Sequence, residues 1–299
     1  MDSPDSIYAG SADIAEYIRK FVVVAEELHF GRAAERLGMA QPPLSRAVQR
    51  LERRLGVQLF DRGNRQIALT AAGEVLLTEG RKALTSLRAA ELRAKRAGEA
   101  DPALVLVMKP GGDAGLLDQI LARYAAHPES VEVEIMICGI GEQEGLLRDG
   151  HADLAMLRTP HDDPTGFATE ELLTEREVVV LRRDHRLADR SSVTMADLAG
   201  ETFPRWTGDC PASETANGPV IRDTGQVTQL IALGRTIAVL PESVTLHLRR
   251  DLVAVPVLDG QLTTLMIGWA EESRSRPLAA FVRTAAEVAR ESTMADVGA

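Results

Sequence analysis

The stretch Phe30–Leu55, FGRAAERLGMAQPPLSRAVQRLERRL, decides how the N-terminal part of the chain folds. It reads as two short helices joined by a turn at Gly38, because glycine adopts the left-handed conformation that ends a helix at little cost. Gln41-Pro42-Pro43 then restarts the chain, since proline is tolerated in the first helical turn. In the second helix, apolar residues recur at spacings of four, three and four, which predicts that one face lies in a core. They are Leu44, Val48, Leu51 and Leu55.

The opposite face of the second helix is polar and basic. Its residues are Ser45, Arg46, Gln49, Arg50, Arg53 and Arg54. A short helix, a glycine turn and a second helix rich in Arg and Gln form a helix-turn-helix pattern, whose second helix enters the DNA major groove. A run of charges is more often a solvated face. The proline restart, the local charge and the hairpin that follows nevertheless favour DNA contact.

Charge is distributed unevenly along the 299 residues, whose formal net charge is −10. Residues 1–100 hold 16 Lys and Arg against 13 Asp and Glu, and Phe30–Thr70 holds 8 against 3, a local net charge of +5. Residues 101–299 hold 18 against 31, a net charge of −13. A basic head on an acidic body fits a DNA contact confined to one end, because attraction to phosphate is screened beyond about 10 Å.

Residues 1–12 are rich in Asp, Ser and Gly, and we expect them to be a disordered lead to a DNA-binding domain over residues 13–70. An apolar stripe from Ile14 to Leu28 predicts a helix that packs under the helix-turn-helix. Further on, two apolar runs flank a Gly-Asn turn, which predicts a hairpin placed as a wing. The runs are Val57–Phe60 and Gln66–Leu69, with Arg62 and Arg65 at the tip of the wing.

Thr70 is a suitable N-cap for a long helix without proline over residues 71–97, which would be about 40 Å long at 1.5 Å per residue. A narrow apolar stripe runs along this helix. A single helix of this length cannot bury such a stripe, so the pattern favours pairing with a second copy over packing against the rest of the chain. The predicted dimerisation residues are Leu77, Leu84 and Leu87. Residues 98–102 are the expected hinge.

From Ala103 onward, apolar strands alternate with helices, which predicts an α/β domain over residues 103–299 with parallel sheets and helices on both faces. The predicted strands are Leu104–Val107, Val131–Ile137, Asp153–Leu157, Val178–Leu181, Ile237–Leu240, Leu252–Val255 and Thr264–Trp269. The predicted helices are Leu116–Tyr124, Glu142–Arg148, Thr228–Leu233 and Pro277–Ala289. We expect two lobes, lobe I over 103–172 and 264–299 and lobe II over 173–263, with ligands beyond the carboxyl ends of the strands.

The stretch AEELHFGRAAERLGMAQPPLSRAVQRLERRLGVQLFDR, continuing through the wing to ALTAAGE, resembles the LysR-type transcriptional regulators. The similarity is strong over Ile14–Ala97 and weaker in two later segments, DGHADLAML and IALGRTIAVLPESV. The resemblance implies an all-α winged helix-turn-helix, a long dimerising linker helix, and two α/β lobes similar to the type 2 periplasmic binding proteins. It also implies homodimers, commonly paired as tetramers, that bend a pseudo-palindromic double-stranded operator. A small molecule between the lobes would alter that bend, and RNA polymerase is a candidate partner.

By this resemblance, the positions that read the groove are Gln41, Pro42, Pro43, Ser45 and Arg46. Arg50 would meet the DNA backbone and Arg62 the DNA beside the wing, and Arg32, Gln49 and Arg65 complete the predicted DNA-binding set. The residue types agree with these roles, because Gln pairs bidentately with adenine and Arg with guanine.

One segment departs from the family pattern. Many members place Ser or Thr at the start of the helix after the first effector-domain strand, where it binds an anionic effector, but here residues 108–114 read MKPGGDA. Asp113 would repel a carboxylate near that helix start, so a bulkier or partly apolar effector stands beside a small organic acid as a candidate. The expected effector-binding residues are Lys109, Gly111, Gly112, Arg158, Arg205 and Trp206.

Two alternatives compete with this interpretation. A thiol sensor would use Cys138 and Cys210, but their spacing matches no redox motif, so structural thiols are favoured. An enzyme or solute binder with an incidental head would need a nucleophile–base or paired-carboxylate constellation, which the sequence does not supply. We therefore expect no catalytic residue, no metal site and no cofactor. Two cysteines, no secretion signal and no apolar run of membrane length indicate a cytoplasmic protein.

Overall fold

The computed structural model describes residues 11–61, 67–98, 102–207 and 216–297, with side chains described except at 11–13, 97 and 293–297. Several predicted features lie outside the described residues: the first ten residues of the lead, Arg62 and Arg65 at the wing tip, the middle of the hinge, and Cys210. The chain divides into two compact units, residues 1–91 and residues 92–299. No helix among the described residues is long and apolar enough to span a membrane.

The N-terminal unit contains the predicted helix-turn-helix and hairpin. Its elements are α1 (Ser11–Glu27), α2 (Phe30–Arg36), α3 (Gln41–Leu55), β1 (Phe60–Asp61), β2 (Ala68–Leu69) and α4 (Ala71–Ala97), the last of which continues into the second unit. The predicted turn at Gly38 has the left-handed φ of 63°. Helix α4 spans the predicted residues, and Thr70 caps it, because its Oγ1 accepts a hydrogen bond from the Gly73 amide at 3.0 Å.

The core of this unit forms where α3 turns its apolar face toward α1 and α2. Leu44, Val48 and Leu51 are fully buried, as the four-three spacing predicts. Leu55, the fourth residue of the stripe, is exposed, so the buried face ends one turn before the helix does. Burying three such side chains stabilises the unit by about 1.5–3 kcal/mol each, relative to leaving them in water.

The hairpin is attached to this core by an aromatic cluster and a carboxylate. The ring of Phe60 lies 5.4 Å from that of Phe21 and 5.9 Å from that of Phe30, measured between centroids. Oε1 of Glu52 accepts hydrogen bonds from the amides of Leu59 at 3.0 Å and Phe60 at 3.4 Å. Glu52 is only 4% exposed, so these bonds hold the end of α3 to the start of the wing in a water-poor environment.

The first half of α4 packs on α1. A Cβ atom added to Gly80 would lie 2.8 Å from Cγ2 of Ile18, so a larger residue here would force the Ile18 side chain to move. Arg81 pairs with Glu26 of α1 at 2.8 Å. The sequence interpretation assigned the stripe of α4 to a second copy, whereas part of it is covered by α1 of the same chain.

The second unit contains the two expected lobes. Its elements are β3 (Ala103–Met108), α5 (Leu117–Ala125), β4 (Glu132–Ile137), α6 (Gln143–Arg148), β5 (Leu154–Thr159), β6 (Phe167–Glu175), β7 (Glu177–Arg182), β8 (Arg205–Trp206), β9 (Val220–Ile221), α7 (Thr224–Ala232), β10 (Ala238–Pro241), a 3₁₀ helix (Glu242–His247), β11 (Leu252–Pro256), β12 (Thr263–Ala270) and α8 (Arg276–Val297). Each predicted strand and helix of this domain has a counterpart, with ends shifted by at most four residues, except that α8 ends at Val297 rather than at Ala289.

The prediction of parallel sheets is wrong for much of the domain. The lobe I sheet has the order β4-β3-β5-β12-β6, in which β3 pairs in parallel with β4 and β5, whereas β12 is antiparallel to β5 and β6. In lobe II, β7 is flanked by β10 and β11, both antiparallel to it. The alternation of strands and helices holds only as far as β5. After that point, several connections are loops, which bring the next strand back in the opposite direction.

The sequence analysis also missed strand β6. Its stretch FATEELLTE over Phe167–Glu175 alternates imperfectly and is rich in Glu, which is uncommon in strands. As an edge strand it pairs on one side only, with β12, so a polar sequence is acceptable there. Lobe I therefore extends to Glu175, and the chain crosses to lobe II at Arg176, later than the predicted boundary at residues 172 and 173.

The cores of the two lobes are separate. In lobe I, helices α5 and α8 cover one face of the sheet, and the rings of Tyr124 and Phe281 meet edge to face with centroids 5.1 Å apart. Helix α6 covers the other face, where Leu147 is fully buried. In lobe II, Ile221 and Ile231 are buried against the three-stranded sheet. The carboxyl ends of β3, β4 and β5 thus face the connections to lobe II.

We predict that replacing Glu52 by leucine lowers the free energy of unfolding by about 1–3 kcal/mol, because the amides of Leu59 and Phe60 lose a buried acceptor. Urea denaturation followed by circular dichroism measures this change. Glu35→Leu, at an exposed position of α2, is the matched control. An equal loss in both variants would show that the acceptor role of Glu52 does not matter.

Candidate DNA-binding surface and effector cleft

Helix α3 presents a basic row opposite its buried face. Arg46, Arg50 and Arg53 are exposed and follow one another at i, i+4 and i+7, which places them along one side of the helix. Among the described residues, no carboxylate pairs with Arg46 or Arg53. Arg53 belongs to this row, although the predicted DNA-binding set did not include it. Its spacing of seven residues from Arg46 could have identified it from the sequence.

The first turn of α3 has no side-chain cap. The N-cap residue Ala40 is extended and supplies no side-chain hydrogen bond, and Pro42 and Pro43 follow in the first turn. Helix starts carry unsatisfied N–H groups and a partial positive charge, which attract phosphate. Gln41 and Pro42 are exposed at this end, while Pro43 is half-buried.

The other predicted DNA-binding residues are placed in different ways. Ser45 and Gln49 are half-buried on α3 beside the basic row. Arg32 lies on α2 and bonds to Glu27 through its Nε at 3.2 Å, which holds its side chain at the turn before α2. His29 caps α2, accepting from the Arg32 amide at 3.2 Å. The observed role of His29 is therefore that of a local helix cap.

Helices α1 and α4 enclose an apolar groove of about 590 Å³. It is lined by Ile14, Ala15, Ile18, Ala83, Leu84, Ser86 and Leu87. Of the predicted dimerisation residues, Leu77 and Leu84 are half-buried and pack against the core of the unit, whereas Leu87 is 55% exposed. The groove leaves apolar surface facing solvent on the side of α4 that α1 does not cover.

In the second unit, the predicted cleft residues Lys109 and Arg158 converge on Asp162. Nζ of Lys109 lies 2.8 Å from both carboxylate oxygens of Asp162, whose side chain is almost fully buried. The backbone amide of Arg158 donates to Oδ2 of the same residue at 2.7 Å. The sequence carried no signal for Asp162, because it follows β5 in a loop where aspartate is common.

The Arg158 side chain is buried and paired with Glu175. Its Nη1 lies 2.5 Å from Oε1 of Glu175 and 3.3 Å from Oγ1 of Thr263. Glu175 also accepts from Oγ of Ser243 at 2.9 Å, on the 3₁₀ helix of lobe II. Since β6 ends at Glu175 and β12 begins at Thr263, this network lies where the chain crosses between the lobes.

The remaining predicted cleft residues are dispersed. Gly111, with a φ of 67°, is exposed, and Gly112 is half-buried. Arg205 is exposed in β8 of lobe II and donates to the Gly218 carbonyl at 3.1 Å, while Trp206 packs partly into the lobe II core. Two hydrogen bonds join the lobes at the mouth of the cleft. Oγ1 of Thr224 donates to the Pro110 carbonyl at 2.8 Å, and the Ile140 amide to the Arg222 carbonyl at 3.2 Å.

Cys138 and His161 lie beside the Lys109–Asp162 pair. Burial, reinforced by the nearby Glu142 carboxylate, raises the pKa of the Cys138 thiol to about 11. Although the His161 side chain is 38% exposed, partial desolvation, together with the charge of Lys109, lowers its pKa from the ordinary value. At neutral pH the cysteine is therefore a protonated thiol and the histidine is neutral. Among the described residues, no three His, Cys, Asp or Glu side chains are grouped to hold a metal ion.

Comparison with known proteins assigns both units. The family described as "Bacterial regulatory helix-turn-helix protein, lysR family" matches residues 16–74. The family described as "LysR substrate binding domain" matches residues 97–290.

Individual relatives are also transcriptional regulators. The Hca operon transcriptional activator HcaR of Escherichia coli is 36% identical over 187 residues, which are 62% of this chain and 63% of HcaR. The regulator ShiR of Corynebacterium glutamicum is 37% identical over 62% of this chain and 64% of its own. The chain thus spans a little under two thirds of these relatives' length. The regulator IlvR of Caulobacter vibrioides is 29% identical over 92% of this chain and 98% of IlvR.

Solved structures share the fold. The match to full-length BenM covers 93% of this chain and 97% of that structure, with a TM-score of 0.52 and 25% identity. The match to full-length CbnR in complex with its target DNA covers 92% of this chain and 99% of that structure, with a TM-score of 0.56 and 21% identity. Because one family covers the helix-turn-helix and its companion covers residues 97–290, the chain belongs to the LysR-type transcriptional regulators.

Proposed function

We propose that this protein is a sequence-specific DNA-binding transcriptional regulator whose DNA binding is modulated by a small molecule held between the lobes of its second unit. The observation that supports it most is the two-sided character of α3. One face is fully buried, and the other presents Arg46, Arg50 and Arg53 in a row beside an open helix start. A helix fixed on one side and basic on the other is suited to the major groove.

The roles on α3 divide by position. Gln41, Pro42, Pro43, Ser45 and Arg46 occupy the first turns, which in helix-turn-helix proteins meet base edges. Arg50 and Arg53 lie further along the helix, and we assign them to phosphate contacts together with Arg32. Gln49 is half-buried between the two sets. The wing residues Arg62 and Arg65 belong to the same proposal.

We predict that Arg46→Ala weakens operator binding by about 1–3 kcal/mol and relaxes base preference at one position of each half-site, because a bidentate contact to guanine is lost. Fluorescence anisotropy with an operator selected from random DNA measures both effects. Arg88→Ala, an exposed change on α4, is the control. Unchanged affinity and preference in Arg46→Ala would remove α3 as the reading helix.

Assembly with a second copy is part of the proposal. The groove between α1 and α4 carries apolar surface, and Leu87 is exposed at its edge. A second copy of the same surface would cover it and set two α3 helices on one pseudo-palindromic site, as the resemblance to the family implies. Tetramers would then be pairs of such dimers.

We predict that Leu87→Asp shifts the protein toward monomer, with at least a roughly tenfold weaker dimer, because a charge would be buried in an apolar interface. Sedimentation equilibrium measures the change. Val57→Asp tests the same substitution at an exposed apolar residue outside the groove. A dimer of unaltered strength in Leu87→Asp would place the interface elsewhere.

A thiol-sensing regulator is the nearest alternative, and the environment of Cys138 argues against it. A buried thiol whose pKa is about 11 supplies little thiolate at neutral pH, and the thiolate is the reactive form. We predict that in a Cys210→Ser background the native protein reacts with a thiol reagent at pH 7.5 at least roughly a hundredfold more slowly than the urea-unfolded protein, because Cys138 is protonated and buried. Rapid labelling of the native protein, followed by absorbance, would restore the thiol-sensing alternative.

An enzymatic α/β domain is the alternative from another class. At the cleft, Lys109 and Arg158 are held in ion pairs with Asp162 and Glu175. Cys138 and His161 do not form a nucleophile–base pair in the described hydrogen bonds. We therefore propose a binding role for this cleft. Turnover of a small molecule by a full chain that failed to bind any operator would reverse the choice.

A further inference from the structure

The lobe I wall of the cleft has three features that would attract an anion, and each already has an internal carboxylate. Lys109 is held by both oxygens of Asp162. Arg158 is held by Glu175. The start of α5 is taken by Asp113, whose Oδ2 accepts from the Leu117 amide at 3.4 Å. A carboxylate ligand would have to displace one of these groups or lie beside it.

Two buried acceptors elsewhere in lobe I have no donor. Gln143 is fully buried, and its Nε2 donates to the Met156 carbonyl at 3.0 Å, which leaves its Oε1 without a partner. Oε1 of Glu144 accepts from the Asp163 amide at 3.0 Å, while its buried Oε2 has no partner. Within the described part of the chain, these are the only buried side-chain oxygen or nitrogen atoms without a hydrogen bond.

These two oxygens lie near the carboxyl ends of the lobe I strands. They belong to consecutive residues at the start of α6, directly after the loop that follows β4, and Glu144 is bonded to the loop after β5. Ligands of α/β sheets bind beyond the carboxyl ends of such strands. Buried polar groups are normally satisfied, so two neighbouring acceptors there call for a hydrogen-bond donor.

Carboxylates outnumber cations around these acceptors. Lys109 and Arg158 are already paired with Asp162 and Glu175, whereas the described hydrogen bonds of the carboxylates Asp113, Glu142 and Glu144 come from backbone amides. His161 adds no positive charge at neutral pH, because partial desolvation and Lys109 lower its pKa. Lobe II adds Arg222 and Asp223 at the mouth, one charge of each sign.

We propose that the effector presents a cationic N–H group, an ammonium or amidinium, to Gln143 and Glu144, and that Asp113 excludes carboxylates from the start of α5. This inference rests on the proposed function, since it assigns the chemical class of the molecule bound in that cleft. An ammonium supplies the hydrogen-bond donors that these unpartnered oxygens lack and reduces the local negative charge. A carboxylate does neither.

The first test compares pairs of ligands that have similar carbon skeletons and opposite charge. The full-length protein is titrated by calorimetry and thermal shift with benzylamine, benzamidine and butylamine, and in parallel with benzoate, phenylacetate and butyrate. We expect at least one of the cations to bind, at least about tenfold more tightly than its carboxylate counterpart. Glu144→Gln keeps an acceptor but removes the charge, and should weaken that cation about tenfold or more. Glu134→Gln, at an exposed position of β4, should not.

The second test asks whether Asp113 sets the selectivity. Asp113→Ser frees the start of α5 and retains a capping hydroxyl, so benzoate affinity should rise about tenfold or more. Asp118→Ser removes an exposed carboxylate from the first turn of the same helix and should leave it unchanged.

Three results would overturn the inference: a carboxylate that binds the unmodified protein as tightly as its amine, no response to any of the cations, or equal benzoate affinity in Asp113→Ser and Asp118→Ser. Operator binding is measured on the same samples. Normal operator binding beside any of these results refutes the effector class alone, whereas absence of operator binding in the unmodified protein refutes the proposed function.

Discussion

The buried charge of Arg158 constrains the whole second unit. A guanidinium that is only 7% exposed must be compensated by an internal anion, and Glu175 supplies it. Because Glu175 is the last residue of β6 and also binds Ser243 in lobe II, the pair fixes both sides of the crossing between the lobes. Removing either partner would leave an uncompensated charge in a dry site, at a cost of about 3–5 kcal/mol. This contact joins the lobes beside the hydrogen bonds from Thr224 to Pro110 and from Ile140 to Arg222.

The two units differ in how their basic residues are paired. In the N-terminal unit, part of the basic residues are held by acidic neighbours, as Arg32 is by Glu27 and Arg81 by Glu26, but Arg46 and Arg53 have no such partner among the described residues. In the second unit, the cations nearest the cleft are neutralised inside the fold. The first unit, residues 1–91, carries 13 Lys and Arg against 12 Asp and Glu, a net charge of +1, whereas residues 92–299 carry 21 against 32, a net charge of −11.

Much of the first unit could be predicted from the sequence, because its information is local. The spacing of Leu44, Val48 and Leu51 fixes the buried face of α3, and the remaining positions fix the exposed one. Less of the second unit could be predicted. Strand β6 is recognisable only through its pairing with β12, about 95 residues later in the chain, and the direction of that pairing has no local signature. The partners of Lys109 and Arg158 are likewise set by three-dimensional proximity. Lys109 and Asp162 are 53 residues apart, so the sequence identified the cations but not the carboxylates that neutralise them.

The carboxylate of Glu52 has a consequence for how the DNA-binding head responds to force. Its two hydrogen bonds to Leu59 and Phe60 join the last turns of α3 to the first strand of the hairpin, and Phe60 is itself held between Phe21 and Phe30. Helix and hairpin therefore behave as one stiff body rather than as two parts on a flexible joint. We therefore expect a rotation of α3 to move the start of the hairpin with it. The position of the hairpin relative to α3 is thus fixed by contacts inside the domain rather than by a ligand.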